Sequence, residues 1–379
     1  MLACFPIFMA HTVQSIDYPE GGATLSVPKQ SFSDPHHCEV FFNPAMRFSR
    51  TMGSLCVGVL KPASVLDGLS ATGARGVRYA AENKGVKKLF LVDANPLALG
   101  FAGKNLKLNK LSSKGKAVYD HFEDFCIAHR GEFDFVEVDP FGTPAPFIES
   151  ALDALKSKGG VLSITATDLA NLVKKNAPTL RDYGAKPLYN DFSHETSLRI
   201  LLGFIARKAW ERKLCVTPLL CYYELHYVKL VVEIEKGKRK PVLGFISYCD
   251  KCLSRFVGMR KKCVCGNRLL YAGPLWLGDF CDKKFLKKLI ELNGERNYED
   301  RKRIEKTLWL LTGEQGFPPW FFGTHSVSDE FGLAVGKMSL LMEGLGKKFK
   351  VARTHFSPNG LKTTAPAKKF VETARASWG

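Results

Sequence analysis

Three short apolar segments, each carrying an aspartate at or near its end, set the frame for this chain. They are Ser64 to Leu69 (SVLDGL), Lys88 to Asp93 (KLFLVD) and Phe133 to Asp139 (FDFVEVD). Two more apolar segments, Ala117 to Tyr119 and Gly160 to Ala166, keep the same rhythm. Helical stretches at Thr72 to Asn83 and Pro96 to Asn109 fall between them. Apolar strands separated by helices pair in parallel through right-handed crossovers, which predicts an α/β doubly wound sheet. Ligands of such sheets sit beyond the carboxyl ends of the strands. Asp67, Asp93 and Asp139 are therefore the first candidate functional residues.

Charge divides the chain in two. Met1 to Glu235 carries 27 basic residues against 24 acidic ones, whereas Lys236 to Gly379 carries 28 against 13. A nearly neutral body with a basic attachment points to a polyanionic partner, most often nucleic acid. The length, 379 residues, suits two or three domains. The best apolar run, Leu198 to Ala206, is interrupted by Arg199 and is far shorter than the roughly 18 residues of a membrane helix. Met1 to Ala10 is apolar without a preceding basic residue, a poor signal peptide. The expectation is a soluble cytoplasmic protein with no membrane partner, acting as a monomer.

The segment Leu66 to Gly76 (LDGLSATGARG) is a run of small residues after a buried strand, where a ligand can approach the backbone. Asp93, 26 residues beyond Asp67, can accept both hydroxyls of an adenosine ribose. Glu123 and Asp124 follow the third strand, where a carboxylate can accept from an adenine amino group. These features indicate a nucleoside cofactor and leave NAD and S-adenosylmethionine both open. Asp139-Pro140-Phe141-Gly142-Thr143-Pro144 favours the second. An exocyclic amino nitrogen is a poor nucleophile, because its lone pair is delocalised into the ring. A carboxylate accepting its N–H bonds, beside a carbonyl stiffened by proline, localises that pair and can take the proton. The aromatic ring stacks on an extruded base. A nicotinamide-dependent dehydrogenase would leave this segment and the basic attachment unexplained. A non-catalytic zinc-containing RNA-binding protein would leave the strand-end carboxylates idle.

Four of the eleven cysteines, Cys249, Cys252, Cys263 and Cys265, lie within seventeen positions. Two close thiol pairs suit a closed tetrahedral zinc site, with Cys281 as a substitute ligand. Lys251, Arg255, Arg260, Lys261 and Lys262 surround them, placed to meet RNA phosphates or simply solvent. Gly273 to Gly278 (GPLWLG) reads as an inter-domain hinge. Beyond it, helices at Phe280 to Leu292, Tyr298 to Leu311 and Ser328 to Leu345 precede strands at Lys348 to Arg353 and Leu361 to Thr364, a winged-helix-like pattern. His194 and His226 read as core or pocket histidines.

Taken together the motifs resemble the tRNA (guanine-N2)-dimethyltransferases that modify guanosine 26, of the short archaeal kind. The resemblance runs through EGGATLSVPK (Glu20 to Lys29), FFNPAMRFSR (Phe41 to Arg50), Leu66 to Gly76, Asp139 to Pro144 and TATD (Thr165 to Asp168). It continues through His194-Glu195, YYELHY (Tyr222 to Tyr227), Gly273 to Gly278 and THFSPNGLKTTAP (Thr354 to Pro366). The resemblance implies a class I, Rossmann-like methyltransferase domain over 1–247, a zinc-binding insertion over 248–273 and a basic, tRNA-binding α+β domain over 274–379. It implies that Arg50 contacts the methionine carboxylate of S-adenosylmethionine, and that Asp67, Thr72 and Gly73 line the cofactor's pocket. Asp93 would hold the ribose and Asp124 face the adenine. Asp139 would be the catalytic carboxylate beside Pro140, with Phe41 and Phe141 holding the flipped guanine between them and Asn43 and Pro44 shaping the same wall. Where the family usually has Asn-Arg-Asp, this chain has Ser49-Arg50-Thr51, which bears on cofactor affinity. Only the resemblance separates this reading from an adenine-N6 or DNA methyltransferase.

Overall fold

A computed structural model describes residues 13–174 and 176–378. Met1 to Ala10, read above as a poor signal peptide, lie outside them. Seven strands form the main sheet in the order Gly115–Tyr119, Lys88–Asp93, Ser64–Asp67, Phe135–Val138, Gly160–Ala166, Tyr227–Lys236 and Leu214–Glu224. The first five are parallel. Inward of the edge strand, where Ala117 and Val118 are half-buried and Tyr119 is exposed, the apolar side chains are buried, Val65, Leu66, Leu89, Leu91, Phe135, Val136, Leu162 and Ile164 among them, because helices cover both faces. Helices Arg47–Leu60, Ala74–Glu82 and Pro96–Leu108 pack in succession on one side, and Phe122–Ala128, Ile148–Ala154 and Ser193–Glu211 on the other. Strand order reverses between Ser64–Asp67 and Phe135–Val138, so the crevice opens between Asp67 and Asp139.

Two features were not expected. The sheet ends in an antiparallel hairpin, Leu214–Glu224 with Tyr227–Lys236. A second hairpin, Ser15–Glu20 with Ala23–Pro28, lies against the Pro96–Leu108 helix. Asn105 ties that hairpin to the crevice: its side chain accepts from Ser26 N and donates to Thr72 O at 2.9 Å. The expected helix from Thr72 starts only at Ala74, because Ala71 (φ 46°) and Gly73 (φ 71°) are both left-handed.

A three-stranded antiparallel sheet follows, with Leu243–Tyr248 between Arg255–Val257 and Leu270–Trp276. Gly273 to Gly278 is therefore no hinge. Gly273 exchanges both backbone hydrogen bonds with Lys186 at 2.9 Å, and Arg199 Nη1 donates to the carbonyls of Trp276 (3.0 Å) and Gly278 (2.8 Å). Further on come helices Lys283–Glu295 and Arg301–Gly313, strand Phe322–Gly323, helices Thr324–Phe331 and Met338–Gly346, strands Val351–Arg353 and Gly360–Thr363, and helix Ala367–Trp378. Helix, strand, two helices and a two-stranded wing is the connectivity of a winged helix. The single helix expected over Ser328 to Leu345 is two, because Gly332 (φ 60°) closes the first and Leu333 N bonds back to Ser328 O. A buried ion pair and a buried hydrogen-bond relay hold this part on the main domain. Lys362 Nζ reaches Glu195 at 2.6 Å, and Glu314 receives His355 Nδ1 at 2.6 Å while His355 Nε2 accepts from Tyr223 N.

Candidate active site

The carboxyl ends of the parallel strands surround a cavity of about 550 Å³. Of the residues singled out from sequence, Phe41, Arg50, Asp67, Thr72, Asp93, Asp139, Pro140 and Phe141 line it. Asn43, Arg75, Thr167 and His226 join them. His226 stands exposed at the tip of the terminal hairpin rather than in the core. His194 is partly buried, stacked on Tyr223 at 4.2 Å, and burial lowers its pKa.

One end of the cavity is built from backbone and carboxylates. Asp93 Oδ2 accepts from Ala71 N at 2.7 Å and Oδ1 from Asn95 N at 2.8 Å, which fixes the carboxylate beside the small-residue loop. Asp67 accepts from Gly76 N at 2.9 Å; a Cβ on Gly76 would lie 2.5 Å from the Leu91 side chain, which would have to move to admit it. Burial, with Glu137 nearby, pushes the Asp67 carboxyl up to about 7. Gly73 does not line the cavity; it allows the loop to turn, and a Cβ on it would meet Leu91 at 2.7 Å. Asp124 does not line it either. Phe122 and Phe125 are the buried face of that short helix, so Asp124 faces solvent.

Arg50 is buried and closely held. Glu20 takes its Nε (2.7 Å) and Nη2 (2.5 Å), and Asn43 O takes Nη1 (3.0 Å). Glu20 also takes Arg78 Nη1 at 2.9 Å, which donates to Thr51 Oγ1 as well. Thr51, standing where the family usually has an acid, thus accepts a hydrogen bond from Arg78, while Glu20 supplies the negative charge beside Arg50. Glu20 belongs to a motif quoted above but was not among the expected site residues. Three of Arg50's five N–H groups have these partners, leaving donors for an anionic group in the cavity.

Asp139 stands at the end of the strand next to Asp67's, its side chain 26% exposed, with Arg75 Nη2 at 2.5 Å from Oδ2. Burial opposes its ionisation, but the Arg75 and Lys229 charges outweigh burial and hold the carboxyl below its ordinary range. The residues after it are clamped: Gly142 N donates to Thr167 Oγ1 (2.8 Å) and Thr167 N to Gly142 O (3.0 Å). Thr143 Oγ1 meets Tyr183 OH, which bonds to Asp168. This clamp leaves Phe141 76% exposed at the rim, its ring edge-on to Phe41 at 4.8 Å and 85°. The two rings touch, so a base enters between them only if they part.

The chain matches the family model described as N2,N2-dimethylguanosine tRNA methyltransferase over residues 21–375. It belongs to that family. The tRNA (guanine(26)-N(2))-dimethyltransferase of Methanothermobacter thermautotrophicus is 34% identical over 367 residues, covering 91% of this chain and 95% of the relative. That of Metallosphaera sedula is 35% identical, covering 94% and 96%. The solved complex of Trm1 from Pyrococcus horikoshii with S-adenosyl-L-methionine superposes with a TM-score of 0.87 at 31% identity, covering 95% of this chain and 100% of that one. The α/β class I, Rossmann-like fold is shared with that structure.

This dimethyltransferase-family chain also brings its four clustered cysteines together. Their Sγ atoms lie within 4.8 Å of one another, with Cys249 and Cys265 at 3.5 Å and Cys252 and Cys263 at 3.4 Å. Zinc–sulfur bonds of 2.3 Å put tetrahedral sulfurs about 3.8 Å apart, so the donor set fits zinc. The short second pair closes through Gly266, whose φ of 88° turns the chain back. Cys281 is elsewhere, buried against Cys221, and is not a ligand. Arg255 is not on the surface: it bonds Asp191 at 2.7 Å and lies 3.8 Å over the Phe322 ring, locking the small sheet to its neighbours. Lys251, Arg260, Lys261 and Lys262 are exposed. Among the described residues no helix is long and apolar enough to cross a membrane.

Proposed function

We propose that the chain transfers methyl groups from S-adenosylmethionine to N2 of guanosine 26 in tRNA, giving N2-methyl- and then N2,N2-dimethylguanosine. The observation that carries this reading is one cavity lined by Asp93 and Arg50 together with Asp139, Pro140 and Phe141. Asp93 suits the ribose hydroxyls and the free Arg50 donors suit the methionine carboxylate. Asp139 accepts the N–H of the guanine amine, orients the nitrogen lone pair at the methyl carbon and takes the proton. Phe41 and Phe141 stack on the extruded base, a contact worth about 1–3 kcal/mol. Asp124 would need a different rotamer or helix position to serve the adenine. Incubation with an unmodified tRNA transcript should yield dimethylguanosine, mapped to position 26 by nucleoside and fragment mass spectrometry. Methylated adenine, or no methylated base, would reject the reading.

The division of labour follows the three parts: a methyltransferase domain (1–247), a zinc-binding insertion (248–273) and a basic tRNA-binding domain (274–379). The insertion's strands run slightly past those bounds, from Leu243 to Trp276. In the basic domain Trp309, 59% exposed, shares a hollow with Lys306 and Arg353, a surface suited to stacking on a nucleotide between phosphate contacts. A monomer is the oligomeric state proposed, and a tRNA substrate suits the cytoplasm. In the insertion Ile246, Ala272 and Leu275 join the main core, whereas at the cysteine end Leu269 and Phe256 pack with the thiols, so zinc would hold that end of the sheet. One zinc per chain is expected by elemental analysis. Its removal by chelation should lower the melting temperature by about 5–10 °C. Metal-free protein with unchanged melting would reject the zinc assignment.

A further inference from the structure

We propose that Arg75 is a positioning residue for methyl transfer, fixing the orientation and charge of Asp139 from inside the protein. The inference rests on the reading of Asp139 as the group that receives the amine proton. Arg75 lies on the first turn of the Ala74–Glu82 helix, with its side chain only 7% exposed. Each guanidinium nitrogen has a neighbour: Nη2 meets Asp139 Oδ2 at 2.5 Å, Nη1 meets Ser49 Oγ at 3.3 Å, and Nε lies 3.7 Å from Glu137 Oε1. Glu137 is itself fully buried, receiving Tyr79 OH at 2.8 Å and the Lys229 ammonium. Lys229 also donates to Thr165 Oγ1 at 3.1 Å, on the strand next to Asp139's own. Asp139 and Glu137 thus face Arg75 and Lys229, with the Asp67 carboxyl, pushed up to about 7, and the Tyr79 hydroxyl beside the same guanidinium.

This arrangement solves a chemical problem of the site. A carboxylate facing an apolar cavity tends to take up a proton, and one facing a sulfonium tends to pair with it. Either outcome removes the acceptor from the guanine amine. A rigid, buried guanidinium on Oδ2 prevents both and keeps the carboxylate charged for the incoming amine. In the reaction the N2 lone pair forms the bond to the methyl carbon while the carbon–sulfur pair stays on sulfur as thioether. The proton displaced from N2 passes to Asp139 and then to water. Once alkylated, N2 is cationic and strongly acidic, so even a carboxylate of low proton affinity accepts from it.

Arg75→Gln and Arg75→Lys test this through single-turnover methylation from pH 5 to pH 9, with S-adenosylmethionine affinity measured by calorimetry. Arg75→Gln should slow methyl transfer by about 10²-fold while cofactor affinity stays within about threefold. Asp139 is held below its ordinary range in the wild type, so its limb lies under pH 5; loss of the positive charge raises its proton affinity, and a new acid limb should enter the measured range in the Gln profile. Arg75→Lys keeps the charge without the fork, so its limb should stay near the wild-type position at a reduced rate. A Gln variant that gains no acid limb over the wild type between pH 5 and pH 9 overturns the proposal. So does cofactor affinity falling as steeply as the rate, which would make Arg75 a cofactor ligand. Should the Gln variant not fold, the Lys variant decides: a shifted limb there overturns the proposal. Wild-type enzyme that forms no dimethylguanosine in the same assay rejects the functional reading and not the Arg75–Asp139 pairing.

Discussion

Asp139→Asn is expected to lower single-turnover methylation by about 10²–10⁴-fold, the usual contribution of a positioned proton acceptor. The amide preserves shape and still offers Oδ1 to Arg75 Nη2, now 2.5 Å from the carboxylate. It therefore avoids the fault of Asp139→Ala, which would leave a buried guanidinium with one anion fewer and disturb the fold. What the amide lacks is charge, and with it the capacity to take the amine proton. Affinity for tRNA should persist, because the phosphate-binding residues lie on other surfaces. Affinity for S-adenosylmethionine should change little, because Asp93 and Arg50, the residues proposed to hold it, are left in place. Filter binding, calorimetry and rapid quench on the same preparation separate the three quantities. Methylation and tRNA binding lost in equal measure would show that Asp139 holds the substrate rather than acting on it.

The parallel half of the fold was legible because its strands are buried on both faces. Such strands are continuous apolar runs, and Lys88–Asp93 and Gly160–Ala166 come out with the expected bounds. The aspartates at their ends stand out for the same reason, as the first charges after a buried run. The Leu214–Lys236 hairpin was missed because its buried residues include Lys229, whose partner Glu137 lies 92 positions earlier. A buried cation looks like a surface one until its anion is located. The same failure produced the reading of Arg255 as a surface residue, when Asp191 and the Phe322 ring enclose it. Gly273 and Pro274 resemble a hinge because each is a breaker in isolation. Here Gly273 lies 2.7 Å, measured from a Cβ built on it, from the carbonyl oxygen of Gly244, a spacing only glycine permits inside a sheet. Arg75 escaped notice because its direction depends on where the helix begins. With a start at Ala74 rather than Thr72, residue 75 points across the crevice to Asp139.

Glu20→Ala should destabilise the protein by about 3–5 kcal/mol, the cost of breaking a buried ion pair from one side. The Glu20 carboxylate is 2% exposed and serves two buried arginines, Arg50 and Arg78. Without it Arg78 retains Glu82 at 2.7 Å, while Arg50 keeps only the Asn43 carbonyl. Arg50 lines the cavity, so cofactor affinity should fall along with stability. The pH dependence has a definite sign. Burial alone would raise the Glu20 pKa, but the charges and hydrogen bonds of Arg50 and Arg78 lower it below 4.5. A carboxyl depressed in the folded state stabilises fully above its unfolded value, and that stabilisation is lost as pH falls through the folded value. The difference between wild type and Glu20→Ala in urea unfolding should hold steady from pH 8 to about pH 5.5 and shrink below pH 4.5. Thr51 supplies a second arm of the test, since it contacts Arg78 without carrying charge. Adding Thr51→Asp to Glu20→Ala returns a carboxylate to this cluster at the position where the family usually carries one, and should recover part of the lost stability. A loss under 1 kcal/mol, or a difference that widens in acid, would mean that the arginines do not depend on Glu20 for their burial.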